Sequence, residues 1–364
     1  MIQNNSQPQT HSWKEWDSFL AATPETGFMQ TSWWADFRLG ADYEHFAVIL
    51  RSTNTIVGGA VVMKYAYADD TCFYYIPEGP VLPKSEEYAS EVFNAILNEI
   101  DKRRRCESMS VSHLRIEPRW TCQPKFVTGF IVPSYKDRFR EPRNTICVDL
   151  TDSEETILAR MKPKGRYNIR LAQRHGVTVK EDTSKQGIMD FIRLYKRTTS
   201  RHDIPSKPPG YFRELISVLI AHHCGSIFFA EYNGKRIAAA IVVYFGERAT
   251  YFFGGSLSLY RRVMAPYLLH FEIMRKAKEM GFAWYDLWGV SPENDQSDPW
   301  HAISIFKRKF GGKEFNLYPT HDHIYDSSAY RHFISIENIS HDSALCLDSP
   351  LPSLSTQYTN EYKH

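Results

Sequence analysis

Hydrophobic and polar positions in the first half of the chain predict two strands, a helix and a third strand. The apolar run 55–63 follows a polar turn, and a second run, rich in aromatic residues, lies at 72–76. Apolar residues then recur at helical spacing from Val92 to Ile100, and the run 110–116 again alternates like a strand. Runs of this length and period are typical of a hairpin followed by a helix and a further strand.

The second half of the chain repeats this order. The turn Asn233-Gly234 leads into an apolar strand at 237–243, and an aromatic strand follows at 250–255. A helical pattern over 266–280 then leads to a last strand at 284–288. The repetition favours two copies of one α/β unit over two unrelated domains.

The order of turn, apolar strand, aromatic strand and helix is similar to that of a GNAT-like (acyl-CoA N-acyltransferase-like) module. We therefore predict an α/β (α+β) fold of two tandem GNAT-like domains related as an internal repeat. A module that uses CoA should carry glycines before the helix, where backbone N–H groups cradle the diphosphate. The corresponding segments, 260–266 and 80–84, contain no glycine. The pattern thus favours the fold more strongly than it favours CoA chemistry.

The length of 364 residues is typical of two domains. The repeat places the first domain at 1–150, with about 315–335 as a candidate closing segment, and the second domain at 151–314. The last stretch, 340–364, is rich in Ser, Asp, Thr and Pro, and we expect it to be a disordered polar tail.

Composition narrows the class of protein. Hydrophobic residues make up 43% of the chain and aromatic residues 14%, which excludes global disorder. A net charge of +2 excludes a strongly basic coat for nucleic acid. The polar N-terminus lacks a signal-peptide core, and the apolar run 237–245 is too short to span a membrane. The six cysteines are scattered without metal-ligand spacing, so we expect a cytoplasmic protein without a metal site.

Eight segments appear in the order of one known family. They are QTSWWADFR (30–38), YIPEGPVL (75–82), LRIEP (114–118), RYNIRLAQRHGV (166–177), RHDIPSKPPGYF (201–212), APYLLHFEIM (265–274), YDLWGV (285–290) and FKRKFGG (306–312). Together they make the chain similar to the FemX/FemA/FemB family of aminoacyl-tRNA-dependent peptidoglycan-bridge transferases. The second half has no long heptad insertion, so the chain resembles the members without a coiled-coil arm.

The resemblance implies an acyltransferase with a substrate cleft near the junction of its two domains, the first of which lies on the precursor-binding side. Members move an amino acid from its tRNA ester to the side-chain amine of a stem peptide. The implied partners are aminoacyl-tRNA and a peptidoglycan precursor, either UDP-MurNAc-pentapeptide or lipid II. No cofactor is implied. A monomer is expected, with peripheral membrane contact only through lipid II.

The pair Phe306-Lys307 matches the family's Phe-Lys pair, whose lysine is linked to catalysis, and Phe306 is implied as a substrate contact. Aminolysis of an activated ester is helped by a fixed cation near the oxyanion that develops. Lys307 is therefore a candidate catalytic residue, acting on that oxyanion or on the tRNA end. The alternative is a solvated helix end, where the helix dipole favours cations. We interpret Arg308 and Lys309 as charges of a solvated helix end.

Glu117 ends the predicted strand 110–116 and lies where the family has an Asp, so its side chain is longer by one methylene. As a candidate catalytic residue it either accepts the proton that leaves the attacking amine or holds that amine. The alternative is a surface carboxylate before the turn at Pro118.

The diphosphate of a precursor is best bound by Arg or Lys from more than one side. Arg38 lies where the family has Lys, and Lys207 lies where a well-studied type of member has Arg, four residues before Tyr211. Both exchanges keep the charge and change its geometry. Tyr251 is a further candidate substrate contact, with core packing as the alternative, and Phe253, which replaces a family Tyr, is assigned to the core.

The basic run 162–174 carries Lys162, Lys164, Arg166 and Arg170. Such a cluster is where tRNA phosphates would bind. An amphipathic helix with a solvated charged face is the alternative.

Two other functions remain open at this point. One is a GNAT-like N-acyltransferase that uses CoA or another acyl carrier on a small amine. The other is a catalytically idle twin-domain binding protein in envelope assembly.

Overall fold

The computed structural model describes residues 2–5, 10–24, 26–39, 43–133, 141–202, 206–293, 295–298 and 300–342. These residues form two mixed β-sheets with helices packed on them. The predicted polar tail lies outside the described residues from residue 343 onward. Residues 340–342 belong to the last helix.

The strands are β1 (Ile2–Asn5), β2 (Glu44–Ser52), β3 (Thr55–Ala68), β4 (Thr71–Pro77), β5 (Ser110–Glu117), β6 (Asn144–Asp149), β7 (Thr178–Glu181), β8 (Gly225–Tyr232), β9 (Lys235–Phe245), β10 (Arg248–Ser256), β11 (Trp284–Gly289), β12 (Lys313–Asn316) and β13 (His321–Ile324). The helices are α1 (Thr10–Ala22), α2 (Ser32–Leu39), α3 (Glu86–Arg105), α4 (Glu154–Arg160), α5 (Pro163–Arg174), α6 (Lys185–His202), α7 (Pro209–Ala221), α8 (Ala265–Glu279), α9 (His301–Lys307) and α10 (Ser327–Asp342). Every strand and helix predicted from the repeat is present.

The first sheet has the strand order β1-β2-β3-β4-β5-β13. Its strands pair antiparallel except β4 and β5, which run parallel because α3 connects them across one face. The predicted apolar stripe of α3 faces the sheet, and Val92, Phe93 and Ile96 are buried. The spacing of these residues on one helix face explains why α3 packs on the sheet.

The second sheet has the order β12-β6-β11-β10-β9-β8-β7. Its parallel pair is β10 and β11, connected by α8. The apolar residues of β9 are buried on both faces between the helices, which explains why that strand reads as a continuous apolar run rather than an alternating one.

The internal repeat is confirmed and is longer than predicted. In each sheet an outer strand and two helices precede the hairpin: β1, α1 and α2 in the first copy, and β7, α6 and α7 in the second. In each sheet a further strand pairs antiparallel with the strand that follows the crossover helix. The added strands β1, β7 and β13 span only four residues each, and long-range pairing places them.

The sheets divide the chain differently from the predicted bounds 1–150 and 151–314. Residues 144–149 form β6, which pairs with β11 of the second sheet, so the second sheet begins before residue 150. Its apolar residues Ile146 and Val148 pack into the second core. The segment predicted at about 315–335 is divided as well, because 313–316 joins the second sheet and 321–324 joins the first.

A buried ion cluster fastens the end of the chain to the first sheet. Arg115 on β5 donates two hydrogen bonds to Asp322 on β13, both at 2.8 Å, and one to Glu337 on α10 at 3.1 Å. Tyr330 donates a further one to Asp322 at 2.8 Å. The side chains of the two acids and of Arg115 are almost fully buried. Burial raises the pKa of Asp322, but the charge of Arg115 and the hydrogen bonds from Arg115 and Tyr330 together keep that pKa below its ordinary value.

One apolar core contains side chains from both sheets. Trp16, Phe28 and Phe37 of the first copy lie in the same buried cluster as Phe191 and Phe212 of the second. Each sheet also has a core of its own on its other face. The two copies are therefore packed face to face.

Candidate functional site

Lys307 is buried at the C-terminal end of α9, with 6% of its surface exposed. Its Nζ donates a hydrogen bond to the carbonyl oxygen of Gly289 at 2.6 Å and lies 5.6 Å from the ring centroid of Tyr251. A solvated helix end would leave this ammonium group in water. The structure instead buries it beside the ring of Tyr251 and the backbone carbonyl of Gly289.

Burial lowers the pKa of Lys307 to about 7, and the negative charge of Asp286 opposes part of that effect. His270 on α8 pairs with the Tyr285 hydroxyl at 2.7 Å. Burial, with a further contribution from Lys307, lowers the pKa of His270 to about 3. Burial also raises the pKa of Tyr251 to about 12. Of the lysine, the histidine and Tyr251, only Lys307 changes charge near neutral pH.

We call Tyr251, His270, Tyr285, Asp286 and Lys307 the lysine cluster. Phe306 forms one wall of it, with its ring 5.4 Å from that of His270 and 4.9 Å from that of Tyr267. The pairing of β10 with β9 shifts register between Tyr251 and Phe253, and the two side chains lie in different cores. Tyr251 packs with the second core and Phe253 with the shared core, as we expected for Phe253.

The other cations of FKRKFGG differ from the predicted helix-end charges. Arg308 is buried, because it forms a two-pronged ion pair with Glu314 at 2.7 and 3.0 Å and donates to the Ser291 carbonyl. Lys309 donates to the Tyr267 hydroxyl at 3.1 Å. Gly311 has φ +73°, a conformation that favours glycine, and it turns the chain into β12.

The basic helix α5 packs directly on the segment that carries Lys307. The backbone N–H of Lys162 donates to the Lys309 carbonyl at 3.1 Å. A Cβ atom at Gly165 would lie 2.5 Å from that same carbonyl oxygen, so only glycine permits the contact. Lys162, Lys164 and Arg170 are exposed, and Arg166 is half-buried against the Ala159 and Met161 carbonyls.

Glu117 is buried rather than a surface carboxylate, because strands and a loop enclose it at the end of β5. Its Oε2 accepts hydrogen bonds from the Tyr75 hydroxyl at 2.7 Å and from the backbone N–H of Glu141 at 3.0 Å. Its Oε1 accepts one from Thr320 at 2.9 Å. These donors fix the direction of the carboxylate.

Arg38 lies on α2, and Lys207 lies two residues before α7, the helix that packs on α2. Arg38 is buried over the Tyr43 ring at 4.3 Å and donates to the Tyr65 hydroxyl at 3.0 Å. Lys207 Nζ lies 5.3 Å from the ring centroid of Tyr211. The Tyr211 ring is in turn 5.1 Å from that of Phe37, the neighbour of Arg38.

A layer of aromatic rings connects this pair of helices to the second sheet. Phe252 lies 5.3 Å from Phe28, 5.8 Å from Trp34 and 5.7 Å from Trp288, measured between ring centroids. Phe252 directly follows Tyr251 of the lysine cluster. The predicted residues thus form three groups: Arg38 with Lys207 and Tyr211, Glu117, and the lysine cluster with Phe306, which packs with the second core.

Two charged residues that the sequence reasoning missed join these groups. Arg119 follows β5 and donates to Glu78 at 2.7 Å, and its Nη2 lies 3.5 Å from Asp286 Oδ2. Asp286 is fully buried in the lysine cluster. Asp286 could have been found in the sequence as the single acid inside the apolar strand YDLWG. His270 could have been found in the same way, as the single histidine inside the largely apolar helix segment APYLLHFEIM.

The turn before α8, where a CoA-binding module would carry glycines, is a 3-10 turn over Ser258–Val263 that ends in Met264 at φ +59°. Within the described part of the chain, no helix is both long and apolar enough to cross a membrane. The same residues contain no cluster of His, Cys, Asp and Glu that could hold a metal ion.

The chain is similar to known proteins along most of its length. The profile of the FemAB family matches residues 11–139, 128–233 and 224–320. The UDP-N-acetylmuramoylpentapeptide-lysine N(6)-alanyltransferase of Weissella viridescens is 24% identical over 312 residues, covering 82% of this chain and 88% of that protein. The lipid II:glycine glycyltransferase of Staphylococcus haemolyticus is 19% identical over 374 residues, with the same coverage of 82% and 88%.

Solved structures share the fold. The crystal structure of FemX has a TM-score of 0.79 at 17% identity and covers 90% of this chain and 99% of FemX. A tandem GNAT protein from the clavulanic acid biosynthesis pathway has a TM-score of 0.52 at 11% identity and covers 88% and 97%. The predicted tandem GNAT-like fold is therefore confirmed, and so is the predicted family resemblance. Since the family profile matches well over half of its length, the chain belongs to the FemAB family.

Proposed function

We propose that this chain is an aminoacyltransferase that moves an amino acid from aminoacyl-tRNA to the side-chain amine of a peptidoglycan precursor's stem peptide. The observation that carries the proposal is the burial of Lys307 beside Tyr251 and Gly289 in a chain of the FemAB family. The names of the alanyltransferase and glycyltransferase relatives support the reaction class.

The donor side of the reaction needs little activation, because an aminoacyl ester is already reactive. The main requirement is to orient the ester and to stabilise the oxyanion as the amine attacks. Protonated Lys307 is suited to this role, because its ammonium group is buried, and hydrogen bonds to a developing charge are strong where little water screens them. Phe306 provides an apolar wall beside it.

On the acceptor side, we assign Glu117 to holding the attacking amine. Its carboxylate already accepts hydrogen bonds from Tyr75, Thr320 and the backbone of Glu141, which fix its orientation. A fixed carboxylate orients an ammonium or amine group well. The alternative role, in which Glu117 takes the proton, is separated from this one by the pH dependence of a Glu117→Gln variant.

The phosphates of the precursor are assigned to Arg38 and Lys207. Arg38 on α2 and Lys207 just before α7 belong to neighbouring parts of the fold, and we assign them to the phosphates from two sides. Tyr211 lies between them through its contact with Phe37. The precursor is either soluble UDP-MurNAc-pentapeptide or lipid II, and in the second case the protein meets the membrane only peripherally.

The tRNA is assigned to the exposed cations of α5, namely Lys162, Lys164 and Arg170, with Arg166 as a supporting residue. The close packing of α5 on the Lys309 carbonyl places this charged face beside the segment that carries Lys307. A tRNA bound there by its phosphates would have its acceptor end near the lysine cluster. We propose that the protein acts in the cytoplasm as a monomer, where charged tRNA and the precursor are both available.

The test is a transfer assay with the purified protein, a pool of tRNA charged with labelled amino acids, and either UDP-MurNAc-pentapeptide or lipid II. Label should enter one of the two precursors and disappear in Lys307→Met. Lys313→Met, which removes an exposed lysine of β12, should retain full transfer. Absence of label with every amino acid and both acceptors would refute the proposed function.

A further inference from the structure

Arg119 stands at the junction between the two sheets. It comes two residues after Glu117, at the end of β5 in the first sheet. Its Nη1 donates to Glu78 Oε1 at 2.7 Å, and Glu78 Oε2 accepts the backbone N–H of Met29 at 3.0 Å. Its Nη2 extends to the second sheet, 3.5 Å from Asp286 Oδ2. All three charged side chains are buried.

Asp286 shapes the backbone that anchors Lys307. Its Oδ1 accepts hydrogen bonds from the Thr145 hydroxyl and, at 2.8 Å, from the backbone N–H of Trp288. Trp288 has φ +59°, and the pairing of β11 with β6 shifts register between Asp286 and Gly289. This bulge presents the Gly289 carbonyl to Lys307. The acid therefore acts on Lys307 through the backbone as well as through its charge.

The contact between Arg119 and Asp286 is an ion pair rather than a close hydrogen bond. Within the described residues, Asp286 Oδ2 accepts no hydrogen bond and Arg119 Nε donates none. In a buried site, such a pair acts over several ångströms because little water screens it. The charge on Arg119 consequently offsets the charge that Asp286 exerts on the lysine.

We propose that Arg119 is a positioning residue that ties the end of β5, where Glu117 lies, to Lys307 in the second sheet, by holding Asp286 and the bulge that presents Gly289. The structural part of this proposal stands without the proposed function. Only its consequence for the transfer reaction rests on that function. In that reaction, Arg119 joins the part of the site assigned to the acceptor amine to the part assigned to the donor ester.

The charged and titratable groups around Lys307 determine how a pH titration of its side chain is interpreted. They are Tyr251 on β10, His270 on α8 and Asp286 on β11. Tyr285 on β11 pairs with His270, and Arg248 on β10 lies near Asp286 and Arg119. His270 and the two tyrosines do not change charge near neutral pH. A change in the Lys307 titration after a substitution at Arg119 or Glu78 therefore reports the ion-pair network.

The test is a proton-carbon NMR titration of the Lys307 side chain in the full chain without substrate, with the signal assigned by its loss in Lys307→Met. Arg119→Met removes a positive charge and should raise the pKa of Lys307 by roughly one pH unit. Glu78→Gln removes a negative charge and should lower it. Arg119→Lys keeps the charge and should restore most of the original value. Arg104→Met, at a partly buried ion pair with Asp101 on the far helix α3, should change nothing.

A folded Arg119→Met protein with an unchanged Lys307 titration would overturn the inference. If that variant does not fold, Glu78→Gln decides, and an unchanged titration there overturns it as well. The transfer assay separates this inference from the proposed function. Shifted titrations without any transfer would refute the function alone, whereas normal transfer with unshifted titrations would refute the positioning role alone.

Discussion

The ammonium group of Lys307 donates a hydrogen bond of 2.6 Å to the carbonyl oxygen of Gly289, across the bulge that ends β11. A carbonyl oxygen is a neutral acceptor, so it holds the lysine without neutralising it. The carboxylate of Asp286 lies near enough to raise the pKa of Lys307, yet burial prevails and brings that pKa to about 7. The charge on Lys307 is therefore sensitive to pH in the neutral range.

We expect the activity of Lys307→Arg, relative to the unchanged protein, to rise with increasing pH. Arg stays protonated, whereas Lys307 loses its proton above about pH 7, so the activity ratio should increase severalfold between about pH 7 and about pH 9. Taking the ratio cancels the deprotonation of the acceptor amine, which raises both rates. The measurement is kcat/KM over this range. A ratio that stays constant would mean that the charge on Lys307 is not required.

Lys307→Met should stabilise the fold at low pH more than at high pH. The folded pKa of about 7 lies below the unfolded value near 10.5, so the unfolded chain binds the extra proton between these two values. The unchanged protein therefore gains stability as pH rises through that window, and the advantage of the variant shrinks by about 2 to 3 kcal/mol between about pH 6 and about pH 9.

Urea unfolding of both proteins at the two pH values measures this difference. Lys313→Met serves as the control, because an exposed lysine should give the same difference at both pH values. If the free energies of unfolding of Lys307→Met and of the unchanged protein varied equally with pH, Lys307 would have an ordinary pKa.

Arg115→Met should lower the free energy of unfolding by about 3 to 5 kcal/mol at neutral pH, because it leaves the carboxylates of Asp322 and Glu337 buried without their cation. In the unchanged protein the pKa of Asp322 is lowered, so its contribution is present above the unfolded pKa and is lost as pH falls through the folded pKa. The cost of the substitution should therefore shrink in acid, where the acids become neutral. Denaturant unfolding at neutral and acid pH checks this, and a cost that does not vary with pH would argue against the ion cluster.

Arg38→Gln should raise KM for UDP-MurNAc-pentapeptide by about tenfold or more and change kcat much less, since a phosphate contact is made equally in the ground and transition states. The control is the same stem peptide without the UDP-sugar, for which KM should not change. An equal loss with both acceptors would place Arg38 in the packing of α2 against Tyr43 and Tyr65 rather than in phosphate binding.

Replacing Lys162, Lys164 and Arg170 together with Gln should weaken binding of aminoacyl-tRNA and reduce its dependence on salt, because each lost phosphate contact removes roughly one unit from the salt slope. The measurement is the affinity for charged tRNA at several salt concentrations.

The matched control for that variant replaces three exposed cations on the first sheet's side, Lys84, Lys102 and Arg105, which should leave the salt slope unchanged. Equal effects of the two triple variants would show that α5 contributes only general positive charge.

The sequence predicted the repeat well, because its strands and crossover helices carry strong local periodicity. The apolar stripe from Val92 to Ile100 is an example in which spacing alone indicates the buried face. The family resemblance also singled out Lys307 as a candidate, which local pattern alone left balanced between a functional residue and a solvated helix end, and the structure shows that this lysine is buried.

Features that depend on long-range pairing were not predictable in this way. Residues 144–149 look like the end of the first copy, yet they pair with β11, and Ile146 and Val148 pack into the second core. Arg308 looks like helix-end charge, and its burial follows from Glu314 six residues later. The contact of Arg119 with Asp286 joins residues far apart in sequence, and neither residue signals its partner.

The path of the chain between the sheets has a practical consequence. The chain begins in the first sheet, passes through the second, and returns through β13 and α10 to pack on β5. Neither sheet can therefore be obtained as a complete unit by one cleavage of the polypeptide. A shortened protein that ends after β12 would lose the partners of Arg115, and a stand-alone first sheet would have to be assembled from two fragments, with the carboxy-terminal one supplied as a peptide in trans.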